Sequence, residues 1–80
     1  MSIRLRQIRP NFTEVQLTDL VIWFSYETPI AFRDRNGYVV SENIWGPTTG
    51  KHLNHIEPDK SKRVSRRDFE KRLSLALGDD

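Results

Sequence analysis

The chain has 80 residues, no cysteine and a formal charge of +2, from 13 lysines and arginines against 11 acidic residues. A chain of this length is expected to form one domain, residues 1–80, and without cysteine it has no disulfides, thiol nucleophiles or cysteine-based zinc sites. No apolar run approaches the roughly 20 residues of a membrane span, and the first residues lack an apolar signal-peptide region. We therefore expect a cytoplasmic protein with no membrane partner.

Five short segments in the first half of the chain have strand patterns, either period-two alternation or β-branched and aromatic content. They are residues 3–6, 12–17, 20–26, 30–33 and 38–40. Pro29 cannot donate a ladder hydrogen bond and marks an edge or a bulge before the fourth segment. Asn36-Gly37 separates the last two segments and predicts a hairpin with a type I′ turn.

The segment from Trp45 to Lys60 has no regular pattern, because glycines and prolines interrupt it. We expect a long loop with room for one short helical turn around residues 49–55, and loops of this length are often functional. The stretch from Gly46 to Lys51 departs from a nucleotide-binding P-loop in glycine spacing and in the residue after the lysine, which predicts a structural turn.

The end of the chain has the signals of a helix over about residues 66–77. Ser65 is a good N-cap and Gly78 stands where helices often end. An apolar stripe at helical spacing contains Phe69, Leu73, Ala76 and Leu77. The predicted fold class is α+β, an antiparallel β-meander of about 3–5 strands with this one amphipathic helix packed on a face.

The predicted core is small for a chain with 30% charged residues. At about 25 cal/mol per Å² of buried apolar area, such a core only just offsets the conformational entropy lost on folding. Dimerisation is an ordinary remedy, so a homodimer is among the expected assemblies.

His52 and His55, with Glu57 and Asp59 nearby, are the residues best suited to bind a metal. No further histidine and no cysteine completes the ligand set, so we predict no metal site and no cofactor. The serines, histidines and acidic residues also lack an arrangement typical of nucleophilic catalysis, and the expected protein is not an enzyme.

Basic residues are concentrated near the two ends of the chain. Residues 1–10 contain three arginines and no acidic residue, and residues 61–77 contain six basic and two acidic residues. Two pairs at i, i+4 compensate part of this charge: Arg66 with Glu70 and Asp68 with Arg72. Because clustered lysines and arginines neutralise phosphates, the candidate nucleic-acid-binding residues are Arg4, Arg6, Lys51, Lys62, Arg63, Arg67 and Lys71. A solvated helix face explains the second cluster equally well.

Tyr38 stands in a segment, Arg35 to Val40, that is weakly similar to an RNA-binding strand. The strand and helix order that surrounds such a strand is missing here. Tyr38 is therefore expected to be a cross-strand packing residue.

Three stretches carry a family resemblance. They are F-S-Y-E-T-P-I-A-F at 24–32, S-E-N-I-W at 41–45 and T-T-G-K-H-L-N at 48–54. In this order they resemble small uncharacterised proteins of phages and their prokaryotic hosts, although Gly46-Pro47 replaces the small polar residue expected after the tryptophan. The resemblance implies a compact α+β module in a phage or mobile-element context, and it implies no activity.

The same stretches contain a candidate recognition patch, Tyr26, Trp45, His52 and Asn54, with Lys51 beside it. These side chains could equally satisfy loop backbone groups, with His52 bridging the loop to the sheet. We expect a non-enzymatic accessory protein that binds nucleic acid through its basic terminal elements. The alternative is a protein-interaction module that binds and modulates a host protein, for example through an edge strand.

Overall fold

The structure is a computed structural model that describes residues 3–78. Five strands form one antiparallel sheet in chain order: β1 (Arg4–Arg9), β2 (Phe12–Gln16), β3 (Val21–Ser25), β4 (Thr28–Asp34) and β5 (Gly37–Val40). The helices are α1 (Pro47–Ile56) and α2 (Arg66–Ala76), with a 3₁₀ turn at Lys60–Lys62 between them. The α+β class and the meander are thus confirmed. No helix within residues 3–78 is long and apolar enough to cross a membrane.

The segment expected to be mostly loop contains α1, a helix of ten residues. Gly46 is its N-cap and Pro47 occupies the first turn, where the missing N–H of proline costs no intrahelical hydrogen bond. The sequence predicted a structural turn from Gly46 to Lys51, one short helical turn around residues 49–55 and a single helix in the fold. These predictions were wrong, because Gly46 caps a second helix that continues to Ile56. The buried face of α1 combines Leu53 with Thr49 and His52, which leaves little apolar periodicity to detect.

The two helices pack on opposite faces of the sheet. On one face, called the α1 face, Leu53 clusters with Phe12, Ile30 and Val40. On the other, the α2 face, Phe69 and Leu73 cluster with apolar residues of β3 and β4, namely Ile22 and Phe32. Since neighbouring residues of a strand point to opposite faces, β3 supplies both cores. The sheet is therefore the middle layer of three.

The hairpin between β4 and β5 is confirmed, but its turn is not type I′. Asp34 pairs with Gly37, and the Asn36 N–H donates to Oδ1 of Asp34 at 2.8 Å. A type I′ turn needs positive φ at both central residues. Gly37 has φ 117°, whereas Asn36 is not among the residues with positive φ. The turn is centred on Arg35-Asn36, one position earlier than the sequence predicted.

Helix α2 confirms the predicted signals and ends one residue earlier. The Oγ of Ser65 accepts from the Asp68 N–H at 3.2 Å, and Gly78 has φ 85°. Both expected i, i+4 pairs form, Arg66–Glu70 at 3.3 Å and Asp68–Arg72 at 2.8 Å. These pairs stabilise the helix and use part of its basic charge.

The two edges of the sheet differ. Beside β5, the Val64 N–H donates to the Val40 carbonyl at 2.8 Å, which covers part of that edge. Within residues 3–78, β1 is hydrogen bonded to β2 alone, and its outer edge is open. Leu5 on β1 is 74% exposed, whereas Ile8 further along the strand packs against the core of the α1 face.

Candidate nucleic-acid interface

One row of five side chains crosses the whole sheet on the α1 face. The pairing register aligns one residue from each strand: Arg4, Gln16, Val21, Arg33 and Tyr38. Residues directly opposite one another in an antiparallel sheet point to the same face. Arg4, Arg33 and Tyr38 are exposed. With strands about 4.8 Å apart, this cross-strand row is about 19 Å long.

The neighbouring row, nearer to α1, supports the cross-strand row. It contains Arg6, Glu14, Trp23, Ala31 and Val40. The Trp23 ring stacks with Tyr38, with centroids 5.7 Å apart and planes 23° from parallel. Ala31 lies opposite Trp23 on β4, the strand between β3 and β5. Its small side chain leaves space for the contact between Trp23 and Tyr38. Trp23 is 8% exposed and Tyr38 is 61% exposed, so a buried ring supports an exposed one.

Glu14 is a buried carboxylate that fixes the side chains around it. Its Oε1 accepts from Nε1 of Trp23 at 3.1 Å, and its Oε2 accepts from Nε2 of Gln16 at 2.6 Å. Nε of Arg6 lies 3.6 Å from the same Oε2. The carboxylate therefore orients the indole, and Arg6 compensates its charge.

The arginines make this face electropositive. Arg4 and Arg33 form no ion pair with any residue of the described range 3–78. Arg33 lies 5.9 Å from the Tyr38 ring centroid, near the outer limit of about 6 Å for a cation–π contact. The two rows together thus carry three arginines, Arg4, Arg6 and Arg33, and one carboxylate, Glu14, whose charge Arg6 compensates.

A buried polar bridge connects β3 to α1 on the same face. Oγ of Ser25 lies 2.7 Å from Nδ1 of His52 and 2.9 Å from Oγ1 of Thr49. The His52 ring stacks on Phe12 with centroids 4.6 Å apart. Ser25 is 2% exposed, which leaves no access for a substrate to its hydroxyl. These three side chains hold the helix on the sheet.

Acid is expected to destabilise the protein through this bridge. Burial of the ring, and then the positive charge of Arg9, lower the pKa of His52 below 6.5. The unfolded chain then binds the proton more readily than the folded one. The contribution of neutral His52 to the free energy of unfolding is therefore complete above about pH 6.5 and declines as the pH falls below it. Urea denaturation between about pH 7 and pH 5 measures the effect. We expect His52→Gln to reduce the pH dependence of the free energy of unfolding. His55→Gln makes the same change at an exposed site, and this variant is expected to keep the wild-type pH dependence. A His52→Gln variant with the wild-type pH dependence would contradict this assignment.

The seven predicted nucleic-acid-binding residues do not share one surface. Arg4 and Arg6 project from the α1 face, and Lys51 is exposed on α1 itself. Arg67 and Lys71 are exposed on α2, which covers the opposite face. A single ligand cannot lie flat on both groups.

The other two basic candidates have partners. Nζ of Lys62 lies 4.0 Å from Oε1 of Glu57. The guanidinium of Arg63 donates to Oδ1 of Asn54 at 2.8 Å and to the Glu57 carbonyl at 3.0 Å. These contacts join the end of α1 to the segment that leads into α2.

The candidate recognition patch is also divided. Tyr26 lies near His52, with ring centroids 6.5 Å apart, but His52 is buried. Trp45 lies against α2, with the Arg66 guanidinium 4.9 Å from its ring centroid. Asn54 binds Arg63. The structure therefore brings Tyr26 and His52 together and places Trp45 and Asn54 elsewhere.

An open cleft of about 470 Å³ lies between α1 and the residues around Arg63. Several of its polar groups bind one another or the backbone, whereas Nε of Arg63 is buried without a partner in residues 3–78. Oε2 of Glu42 accepts from the Arg66 N–H at 2.9 Å, and Nδ2 of Asn43 donates to the Gly46 carbonyl at 3.2 Å. These hydrogen bonds connect the segment after β5 to the beginnings of α1 and α2, which gives the cleft a structural role. Within residues 3–78, no three histidine or acidic side chains are placed to hold a metal ion together.

Sequence reasoning missed Arg33 and assigned Tyr38 to packing alone. Their pairing follows from the hairpin, because Asp34 opposite Gly37 puts Arg33 opposite Tyr38. The Asn36-Gly37 signal does not give this register, because a two-residue turn centred on that pair would place Arg35 opposite Tyr38. The alignment with Arg4 was not predictable either, because a bulge in the β1–β2 pair and another in the β3–β4 pair shift the register counted from each turn.

These features define a small α+β domain with one basic and aromatic sheet face. The chain belongs to a family of unknown function, DUF8033, whose family model matches residues 3–71. The match includes all five strands, α1 and the first half of α2. No curated protein and no solved structure shows a significant match.

Proposed function

We propose that the chain is a non-enzymatic accessory protein that binds nucleic acid through its α1 face, in a phage or mobile-element context. The observation that carries this proposal is the cross-strand row. Arg4 and Arg33 stand on it without an ion pair in residues 3–78, and Arg6 lies in the neighbouring row. Arginine side chains bind phosphates through planar, bidentate hydrogen bonds and release counterions from the strand.

The α2 surface supports this function less well. Arg66 and Arg72 are paired with acidic residues of the same helix, and Arg66 also donates to the Pro29 carbonyl at 2.7 Å. Only Arg67 and Lys71 of the basic residues on α2 form no ion pair within residues 3–78. We therefore place the main interface on the opposite side of the sheet.

The test is a double replacement, Arg4→Gln with Arg33→Gln. We expect wild-type affinity to fall steeply with salt, and the double variant to bind more weakly with a shallower salt dependence. Each lost phosphate contact reduces the logarithmic slope by about 0.7 to 0.9, so two contacts remove about 1.4 to 1.8. Fluorescence anisotropy of labelled oligonucleotides across a salt series measures both quantities.

The matched control is Arg67→Gln with Lys71→Gln, which removes the same charge from α2. It is expected to retain most of the affinity and the slope. Equal losses in the two double variants would contradict the assignment to the α1 face. Absence of binding to any nucleic acid at low salt would remove the proposed function.

The open edge of β1 favours a second candidate, binding of a host protein by strand addition. An exposed edge offers unpaired backbone groups to an extended segment. Leu5, on the α2 face, would contact apolar side chains of that segment, while Arg4 and Arg6 favour acidic ones on the other face. This candidate requires a partner that survives nuclease treatment and is lost on Leu5→Lys.

A further inference from the structure

We infer that the nucleic acid bound at this face is single-stranded, with one unpaired base stacked on the exposed ring of Tyr38. This inference rests on the proposed function and adds the class of ligand and the contact that selects it. It follows from the Tyr38–Trp23 stack, which phosphate binding alone does not require.

The first argument is the accessibility of the ring. Tyr38 is 61% exposed at one end of a row whose other exposed members are arginines. In a duplex, the faces of the bases are covered by their neighbours, so a protein ring on an open surface cannot reach them. Unpaired bases have free faces, and aromatic side chains on sheet surfaces bind them by stacking. An exposed ring beside arginines therefore favours a single strand.

The second argument is the rigidity of the support. The Trp23 indole is buried and donates to the Glu14 carboxylate at 3.1 Å. It lies against Tyr38 with ring centroids 5.7 Å apart. A ring that is held in place before binding loses less conformational entropy when the ligand arrives. The stack thus prepares Tyr38 for binding.

The third argument is the position of the charges. Arg33 is directly opposite Tyr38 on β4, with its guanidinium 5.9 Å from the ring centroid. It is therefore close enough to contact the phosphate of a nucleotide whose base lies on the ring. Arg4, four strands away and about 19 Å along the row, can contact a phosphate further along the same strand. The row thus offers base stacking at one end and phosphate contacts along its length.

The experiment compares Tyr38→Leu and Tyr38→Phe with wild type on a single-stranded oligonucleotide and on its duplex. Leucine keeps an apolar side chain but removes the aromatic face, whereas phenylalanine keeps that face. We expect Tyr38→Leu to bind the single strand about tenfold more weakly, since stacking of one base is worth a factor of roughly 5 to 150. Tyr38→Phe is expected to bind like wild type. The salt dependence of the leucine variant is expected to stay unchanged, because no charge is lost.

The recognition patch predicted around Tyr26 does not form one surface, because Trp45 and Asn54 lie elsewhere, so Tyr26→Leu serves as the matched control. Tyr26 is also an exposed tyrosine, at 55%, but it lies in the β3–β4 turn outside the cross-strand row. It is expected to leave single-strand binding unchanged, and thermal denaturation verifies that the leucine variants remain folded. A general effect of losing a surface tyrosine would appear equally in both variants.

The outcomes separate the two proposals. Wild-type protein that binds no nucleic acid at low salt overturns both. Binding that is as tight to the duplex as to the single strand, or that survives Tyr38→Leu, overturns the stacking inference and leaves phosphate binding intact. Preference for the single strand together with selective loss in Tyr38→Leu supports it.

Discussion

Replacement of Phe69 by alanine is expected to destabilise the protein by about 3–5 kcal/mol, the usual cost of removing a fully buried aromatic ring. Phe69 is completely buried on α2, and its ring packs against Phe32 with centroids 5.6 Å apart. The Arg66 guanidinium lies 4.8 Å from the same ring. The core of a domain this small supplies only about 3–5 kcal/mol in total, so much of the variant is expected to be unfolded.

Urea denaturation followed by circular dichroism measures this loss. Leu75→Ala is the matched control, since Leu75 lies on the same helix and is 62% exposed. Its free energy of unfolding is expected to change by no more than about 0.5 kcal/mol. A Phe69→Ala variant as stable as the control would mean that α2 is not packed on the sheet.

Replacement of Glu14 by alanine is expected to destabilise the protein by about 2–3 kcal/mol. The buried carboxylate accepts hydrogen bonds from Trp23 and Gln16, and its loss leaves these donors without a partner. Glu14→Gln keeps the size and one acceptor, so a smaller loss is expected. The glutamine variant also frees Arg6 from its ion pair, and nucleic-acid affinity at low salt is expected to rise.

For Glu14→Gln we thus expect lower stability together with higher affinity for nucleic acid, and this combination makes the prediction specific. Glu27→Gln removes the same charge at an exposed position in the β3–β4 turn, and its stability is expected to stay at the wild-type level. Denaturation and anisotropy on the same preparations give both quantities. Unchanged stability in Glu14→Ala would contradict the role assigned to the buried carboxylate.

The strands and α2 were predictable because their signals are local. Alternation, the Asn36-Gly37 pair and the Ser65 cap depend on residues close in the sequence. Helix α1 was not, since two of its buried side chains, Thr49 and His52, are polar. They are satisfied by Ser25, more than twenty residues earlier, and burial of a polar side chain on a distant partner leaves no local pattern.

The candidate interface was only partly predictable for a related reason. The charges of Arg4 and Arg6 are plain in the sequence, but the face on which they lie depends on the register of four strand pairs. Bulges at Gln7/Arg9 and Trp23/Phe24 shift that register. The basic cluster near α2 is prominent by charge, yet Arg63 is used to bind Asn54 and the chain around Glu57.

The simple strand order has a consequence for how the chain folds. Every strand pairs with its neighbour in sequence, so the sheet can grow one hairpin at a time with little loop-closure entropy to overcome at each step. Low sequence separation between contacting residues is associated with fast folding. Because the row that ends in Tyr38 takes one residue from each strand, it is complete only when all five strands are paired. The proposed binding of nucleic acid would then report the assembly of the entire sheet.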